Sequence, residues 1–60
     1  MTYSGEFIYK NTLVMYTAFL SDGGKDDRVL DLTFDIDDEM DNSDYEKAEE
    51  LAIRNAWKNN

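Results

Sequence analysis

The segment that most constrains the fold is V-L-D-L-T-F-D-I-D, which covers residues 29–37. Apolar residues alternate there with Asp and Thr, and a period of two is typical of a β-strand with one face turned to a core. The pattern predicts that the carboxylates of this strand face solvent. The residues expected to face the core are Leu30, Leu32, Phe34 and Ile36.

Two more strands are expected before this segment, over residues 2–9 and 12–21, which are rich in Tyr, Phe, Thr, Val and Ile. Lys10 and Asn11 separate them, and because Asn tolerates positive φ, the dipeptide predicts a tight two-residue turn. A three-residue loop is the alternative, and it would exchange the two faces of the second strand relative to the first. A second turn is expected in residues 21–28, which contain two consecutive glycines.

A helix is expected to begin at about Asp44. Ser43 and Glu46 have the spacing of a capping box, in which the hydroxyl and the carboxylate each satisfy a free backbone N–H of the first turn. Glu50 precedes Arg54 by four residues, which is the spacing of a helical ion pair. The stripe expected to meet the sheet consists of Tyr45, Ala48, Leu51, Ala52 and Ala56.

The chain is therefore predicted to form a single α+β domain over residues 1–60. Its expected architecture is a three-stranded antiparallel β-meander with one C-terminal helix packed on one face, in the order β-β-β-α. A chain of 60 residues buries only about 60% of its unfolded surface. A core of that size gives marginal stability, which favours an assembled working state.

The second strand is apolar on both sides, although one helix covers only one face of a sheet. With a two-residue turn, Ile8 lies opposite Leu13, and both lie on the open face. The open face then also carries Met15 and Phe19, beside the aspartates of the third strand. Partial cover by neighbouring side chains is one interpretation. We favour a contact surface, used either for docking on a basic partner or for sheet-to-sheet homodimerisation.

Trp57 is a further large apolar side chain without an obvious place in the core. At 100° per residue it lies to one side of the stripe that would meet the sheet. One interpretation makes it a lid that folds over the sheet edge. The other makes it a binding anchor, because Trp is enriched at the energetic centres of interfaces.

Acidic residues dominate the charge of the chain. It has 14 Asp and Glu against 6 Lys and Arg, a net charge of −8, and eight of the acids lie between Asp31 and Glu46. This balance argues against direct binding to nucleic acid and favours encounter with basic protein surfaces. A row of carboxylates can imitate a phosphate backbone, although a solvated face is the commoner use of such charge. The candidate partner-binding acids are Asp31, Asp35, Asp37, Asp38, Glu39 and Asp41.

The composition argues against catalysis. With no His and no Cys, the chain has no imidazole base and no thiolate, and its serines have no histidine to activate them. Residues 35–46 superficially match an EF-hand calcium loop, but Met40 replaces the turn glycine and a strand is expected before the loop. We therefore expect no enzyme activity, no cofactor and no specific metal site. No apolar run approaches the roughly 20 residues of a membrane span and no signal segment is evident, so the expected location is the cytoplasm.

In size, charge and layout the chain resembles the small acidic proteins that bacteriophages make against host machinery, such as anti-CRISPR proteins and inhibitors of host RNA polymerase or nucleases. The resemblance covers the whole chain and assigns no role to individual residues. It implies a stoichiometric inhibitor that occupies the basic groove of a larger protein in the host cytoplasm. The alternative is a structural protein that assembles through the open sheet face.

Overall fold

The computed structural model describes residues 1–35 and 41–59. In that part of the chain, strands β1 (Thr2–Tyr9), β2 (Thr12–Phe19) and β3 (Arg28–Phe34) precede helix α1 (Asn42–Asn59). The strands form one antiparallel sheet in the order β1-β2-β3, and α1 packs on one face of it. The predicted β-β-β-α architecture is confirmed.

The turn between β1 and β2 has two residues. Lys10 and Asn11 have φ values of 49° and 63°, which is the conformation of a type I′ turn and matches the twist of the flanking strands. The register that follows pairs Ile8 with Leu13 and Phe7 with Val14. The predicted two-residue turn is therefore confirmed, and the three-residue alternative is wrong.

A β-bulge interrupts the alternation of β3. Thr17 pairs with Asp31, whereas the next residue of β2, Ala18, pairs with Val29, so Leu30 has no partner opposite it. The extra residue shifts the pattern by one position. As a result Val29 packs against the core, and Leu30 is 52% exposed. The prediction that Leu30 faces the core is wrong for this reason.

Of the other residues predicted to face the core from this strand, the structure describes Leu32 and Phe34. Leu32 packs against the core, and Phe34 is half-buried with its ring edge-on to Tyr45 at a centroid distance of 6.0 Å. The strand ends at Phe34. Ile36 and Asp37, which were predicted to continue it, lie outside the described residues.

Helix α1 begins at Asn42, two residues before the predicted start. The Asp41 carboxylate accepts a hydrogen bond from the backbone N–H of Asp44 at 2.9 Å, and the Asp41 carbonyl accepts one from Tyr45 at 3.0 Å. Asp41 is therefore the N-cap, and the predicted capping box at Ser43 is wrong. An aspartate in this position satisfies a free backbone N–H and places negative charge at the positive end of the helix dipole.

The ion pair and the apolar stripe predicted for α1 are borne out only in part. The predicted ion pair between Glu50 and Arg54 is replaced by one between Glu50 and Lys47, whose charged atoms lie 3.3 Å apart. Of the predicted stripe, the three alanines are fully buried and Leu51 is half-buried, whereas Tyr45 lies exposed at the margin. The alanines allow the helix to approach the sheet closely.

The core lies between the inner face of the sheet and the alanine stripe of α1. Its buried members on β2 and just after it are Val14, Tyr16, Ala18 and Leu20, and those on α1 are Ala48, Ala52 and Ala56. Tyr16 donates a hydrogen bond from its hydroxyl to the Asn55 side chain, so this buried polar group is satisfied. Gly5 makes room for the same ring, because a Cβ there would lie 2.8 Å from the Tyr16 hydroxyl oxygen.

Candidate functional site

The open face of the sheet is the face that α1 leaves uncovered. Cross-strand pairing places Met15 between Glu6 and Thr33, and it places Thr17 between Ser4 and Asp31. Near the first turn, Ile8 lies beside Leu13, as predicted. The face therefore has an apolar central strand with polar and acidic residues on both sides.

The apolar part of this face is exposed to different degrees. Ile8 is 65% exposed and Met15 is 39% exposed, and bulged Leu30 adds a third accessible apolar side chain. Phe19 is half-buried, because the Arg28 guanidinium lies over its ring at 4.9 Å from the centroid. Of the two apolar contact residues predicted on β2, Met15 is therefore accessible, and Phe19 is covered on one side by a cation–π contact.

The apolar strip of the open face consists of Ile8, Leu13, Met15 and Phe19. Asp31 and Asp35 border this strip on the β3 side. Asp31 lies opposite Thr17, and the Asp35 backbone N–H donates to the Leu13 carbonyl at 2.9 Å, which extends the pairing one residue beyond β3. Both side chains are exposed. Within residues 1–35 and 41–59, neither carboxylate belongs to an ion pair. The two residues are four positions apart in extended chain, which corresponds to roughly 13 Å.

Of the other predicted acids, the structure describes Asp41. Asp37, Asp38 and Glu39 lie outside the described residues. Asp41 is exposed, but its carboxylate caps α1. Asp41 therefore has a structural role at the start of α1, and its role in partner binding stays a prediction.

Trp57 is 44% exposed and is tied to the link between β2 and β3. Its Nε1–H donates to the Asp27 carboxylate at 2.6 Å, and the same carboxylate accepts the Ser21 backbone N–H at 2.8 Å. The bond from Trp57, followed by the bond from the Ser21 backbone, lowers the pKa of Asp27 below its usual value. Trp57 thus joins the end of α1 to the link, and its role as a binding anchor stays a prediction.

A cluster of Tyr9, Lys10 and Asp44 ties the first turn to the start of α1. The buried Asp44 carboxylate accepts a hydrogen bond from Tyr9 at 3.0 Å and one from Lys10 at 2.7 Å. The Lys10 bond is the main cause that lowers the pKa of Asp44, and the same bond raises the pKa of Lys10. Burial, followed by the bond to Asp44, raises the pKa of Tyr9.

Sequence reasoning missed this cluster because its partners lie 34 and 35 residues apart. The available signal was weak, consisting of an acid in the first helical turn and a lysine in a turn. The three groups satisfy one another, and the pairing stabilises the ionised carboxylate and the protonated amine. We interpret the cluster as a structural connection.

The acidic residues of the described chain do not cluster as metal ligands do. Among them, no group of three or more acids is arranged to hold a metal ion. The EF-hand comparison also requires residues 35–46 to form a loop between two helices, whereas β3 ends at Phe34 and α1 includes residues 42–46. In the part of the chain that is described, no helix is long and apolar enough to cross a membrane.

Comparisons of the chain with protein-family models, with curated proteins and with solved structures gave no match. The resemblance to phage-encoded inhibitors therefore stays a prediction.

Proposed function

We propose that this chain is a non-catalytic protein-binding module, a small acidic inhibitor that occupies a basic, nucleic-acid-binding surface of a larger protein. The observation that supports this best is the pair Asp31 and Asp35, exposed beside an accessible apolar strip on a sheet face that no element of the described chain covers. Its place of action would be the cytoplasm, that of the host if a phage encodes it.

The charge distribution supports a basic partner. The molecule carries a net charge of −8, so its field speeds encounter with a positive surface and repels nucleic acid. Asp31 and Asp35 keep their carboxylates in solvent and need no rearrangement to meet Lys or Arg side chains. A basic groove that evolved to hold phosphates would accept such carboxylates in their place.

The apolar strip supports a protein partner in particular. Charge pairs at the rim of an interface mainly raise the association rate, and the slow dissociation of a tight complex needs a desolvated centre. Met15, Ile8 and Leu30 supply accessible apolar surface beside the acids. Ile8 and Met15 lie on paired strands and Leu30 lies at the bulge of β3. These positions limit the conformational entropy that binding would cost.

The experiment is affinity capture from an extract of the cell in which the protein is made, with three baits. The first is the unchanged protein, and the second carries Asp31→Asn and Asp35→Asn. The third carries Asp22→Asn and Asp26→Asn, which remove the same charge from exposed positions of the link between β2 and β3.

We expect the first and third baits to capture the same protein, and we expect duplex DNA to elute it. The Asp31→Asn and Asp35→Asn bait should bind that protein about tenfold more weakly, because two contacts to basic side chains are lost. Equal binding by the second and third baits, or resistance of the complex to both DNA and salt, would refute a basic-groove inhibitor.

Homodimerisation through the open face is the alternative function. The observation that favours it is the apolar row at the centre of that face, with Met15 exposed and Leu13 next to it. A dimer packed in this way should persist at high salt and dissociate when Met15→Asp places a charge in its centre. Light scattering tests this alternative by giving the molar mass of the free protein. A protein that stays monomeric at all concentrations does not homodimerise.

A further inference from the structure

Among residues 1–35 and 41–59, none forms a main-chain hydrogen bond to the outer edge of β1. In a two-residue hairpin the residues that flank the turn, Tyr9 and Thr12, form a hydrogen-bonded pair, and such pairs recur at every second residue. At the far end of the ladder, Leu20 N–H donates to Met1 carbonyl at 2.7 Å, which agrees with this phase. The odd-numbered residues of β1 therefore bond to β2. The N–H and C=O groups that point away from the sheet are those of Ser4, Glu6 and Ile8.

This edge has few of the features that usually prevent strand addition. Proteins protect free edges with proline, with a bulge or with charged side chains, above all lysine. β1 has eight residues without proline or lysine, its pairing with β2 is uninterrupted, and Glu6 is its one charged residue. The opposite edge differs, because β3 is bulged at Leu30 and carries Arg28 and Asp31. Of the two edges, β1 is the one open to a further strand.

A groove runs beside this edge, between β1 and α1. Its volume is about 450 Å³, and its lining consists of Phe7, Ile8, Leu51, Arg54, Asn55 and Lys58. Three of these residues give it an apolar floor. Leu51, Arg54 and Lys58 follow one another at helical spacings of three and four, so they lie on one flank of α1.

The groove is also locally basic in an acidic molecule. The chain has only 6 Lys and Arg, and Lys10 and Lys47 are each paired with a carboxylate. Among the residues that the structure describes, Arg54 and Lys58 form no ion pair. Two cations thus stand at the rim of an apolar groove, next to an unpaired strand edge.

We propose that the β1 edge binds an extended peptide of another protein as a fourth strand, and that this peptide carries a carboxylate next to an apolar side chain. The main chain of the peptide would pair with Ser4, Glu6 and Ile8. Its apolar side chain would pack on Phe7 and Leu51, and its carboxylate would meet the cations of the rim. A second copy of the chain is the poorer occupant, because two molecules of charge −8 repel each other.

The probe is the acetylated and amidated peptide Thr-Glu-Thr-Val-Thr-Glu-Thr. It places Glu, Val and Glu on one face of a strand, and it reads the same in both directions, so it tests parallel and antiparallel addition together. The control peptide has Lys in place of Glu. Titration calorimetry should show binding of the acidic peptide and at least tenfold weaker binding of the lysine peptide. Equal affinities, or no binding of the acidic peptide, would overturn the proposal.

Glu6→Pro tests the main-chain contact, because it removes an N–H that points away from the sheet and leaves the bonds to β2 intact. Peptide affinity should fall by about tenfold with Glu6→Pro, as expected for a lost hydrogen bond, and stay within twofold with Glu6→Ala. Unchanged affinity in Glu6→Pro would refute strand addition. If that variant fails to fold, the same question is answered by hydrogen exchange in the unchanged protein, where peptide must protect the amides of Ser4, Glu6 and Ile8.

Arg54→Gln tests the charge contact, with Lys25→Gln as the control that removes a cation from the far link. Only Arg54→Gln should weaken the acidic peptide, by roughly threefold to tenfold. Asp31→Asn should leave peptide affinity unchanged, so this proposal stands or falls separately from the function proposed for the open face. A free protein that is already dimeric, and becomes monomeric with Glu6→Pro, would show that the occupant is a second copy and would overturn the proposal.

Discussion

The two faces of β2 have similar sequences and different surroundings. On the inner face, Val14, Tyr16 and Ala18 are at most 3% exposed beneath α1. On the open face, Leu13 and Phe19 are half-buried and Met15 is exposed. Both sets are apolar, so hydrophobicity alone does not separate core from surface in this strand. One helix therefore buries half of the apolar residues of β2 and leaves the other half partly accessible to solvent.

The largest expected difference between the faces is in stability. Tyr16→Ala should lower the free energy of unfolding by about 3–5 kcal/mol, as large-to-small substitutions of buried aromatics do. Since a domain of this size has roughly 5 kcal/mol in total, this variant should be largely unfolded. Met15→Ala on the open face should cost less than about 1 kcal/mol. Urea unfolding followed by circular dichroism gives both values, and equal losses would remove the distinction between the faces.

Gly5→Ala should be the next largest effect. The added methyl group would point to the inner face and meet the Tyr16 hydroxyl and the Tyr3 ring at less than 3.0 Å. Overpacking of this kind costs about 1–3 kcal/mol. Ser4→Ala, one residue away on the open face, is the matched control and should cost clearly less. If the two substitutions destabilise equally, the close approach of Gly5 to Tyr16 and Tyr3 does not contribute to the stability of the core.

Acid should weaken the connection between the first turn and α1. Because the bond from Lys10 lowers the pKa of Asp44 below its usual 3.8, the carboxylate stabilises the fold above that value, and the stabilisation is lost as the pH falls through the folded-state pKa. The free energy of unfolding should therefore decrease below about pH 4. Asp44→Asn should be less stable at pH 7 and lose less stability on acidification. Asp26→Asn is the control. If it loses as little stability on acidification as Asp44→Asn does, the proposed role of Asp44 is contradicted.

The smallest expected effect is that of the open-face acids on stability. Asp31→Asn combined with Asp35→Asn should change the free energy of unfolding by less than about 0.5 kcal/mol, because both side chains are exposed and removal of like charge relieves repulsion. The same variant should have the largest effect on partner binding. A loss of stability above about 1 kcal/mol would show that these acids stabilise the fold, and it would argue against a binding role.

Local signals in the sequence predicted most of the fold. The turn at Lys10 and Asn11 could be predicted because two residues with positive φ form a turn that matches strand twist. That turn then determined the register and the two faces of β2. The alanine stripe of α1 followed from helical spacing. In each case the sequence pattern and the structure that it predicts lie within one short segment of the chain.

The remaining features depend on contacts between segments that are distant in sequence. The bulge at Leu30 arises from pairing with Thr17 and Ala18, so the alternation of β3 alone gave the wrong inner residue. Asp41 and Ser43 are both good N-cap residues, and residue preference alone does not decide which of them caps the helix. The basic groove beside β1 joins Phe7 to Arg54, and no local pattern links them. Sites built from distant segments were therefore the part that could not be predicted.

Binding through the open face can be tested by amide chemical-shift mapping of the isotope-labelled protein in complex with the partner captured from its native cell. The proposed function predicts the largest shifts at Met15, Asp31, Thr33 and Asp35, with small shifts at the alanines of α1. Shifts confined to α1, with the amides of the open face unchanged, would contradict the claim that this face is the binding surface.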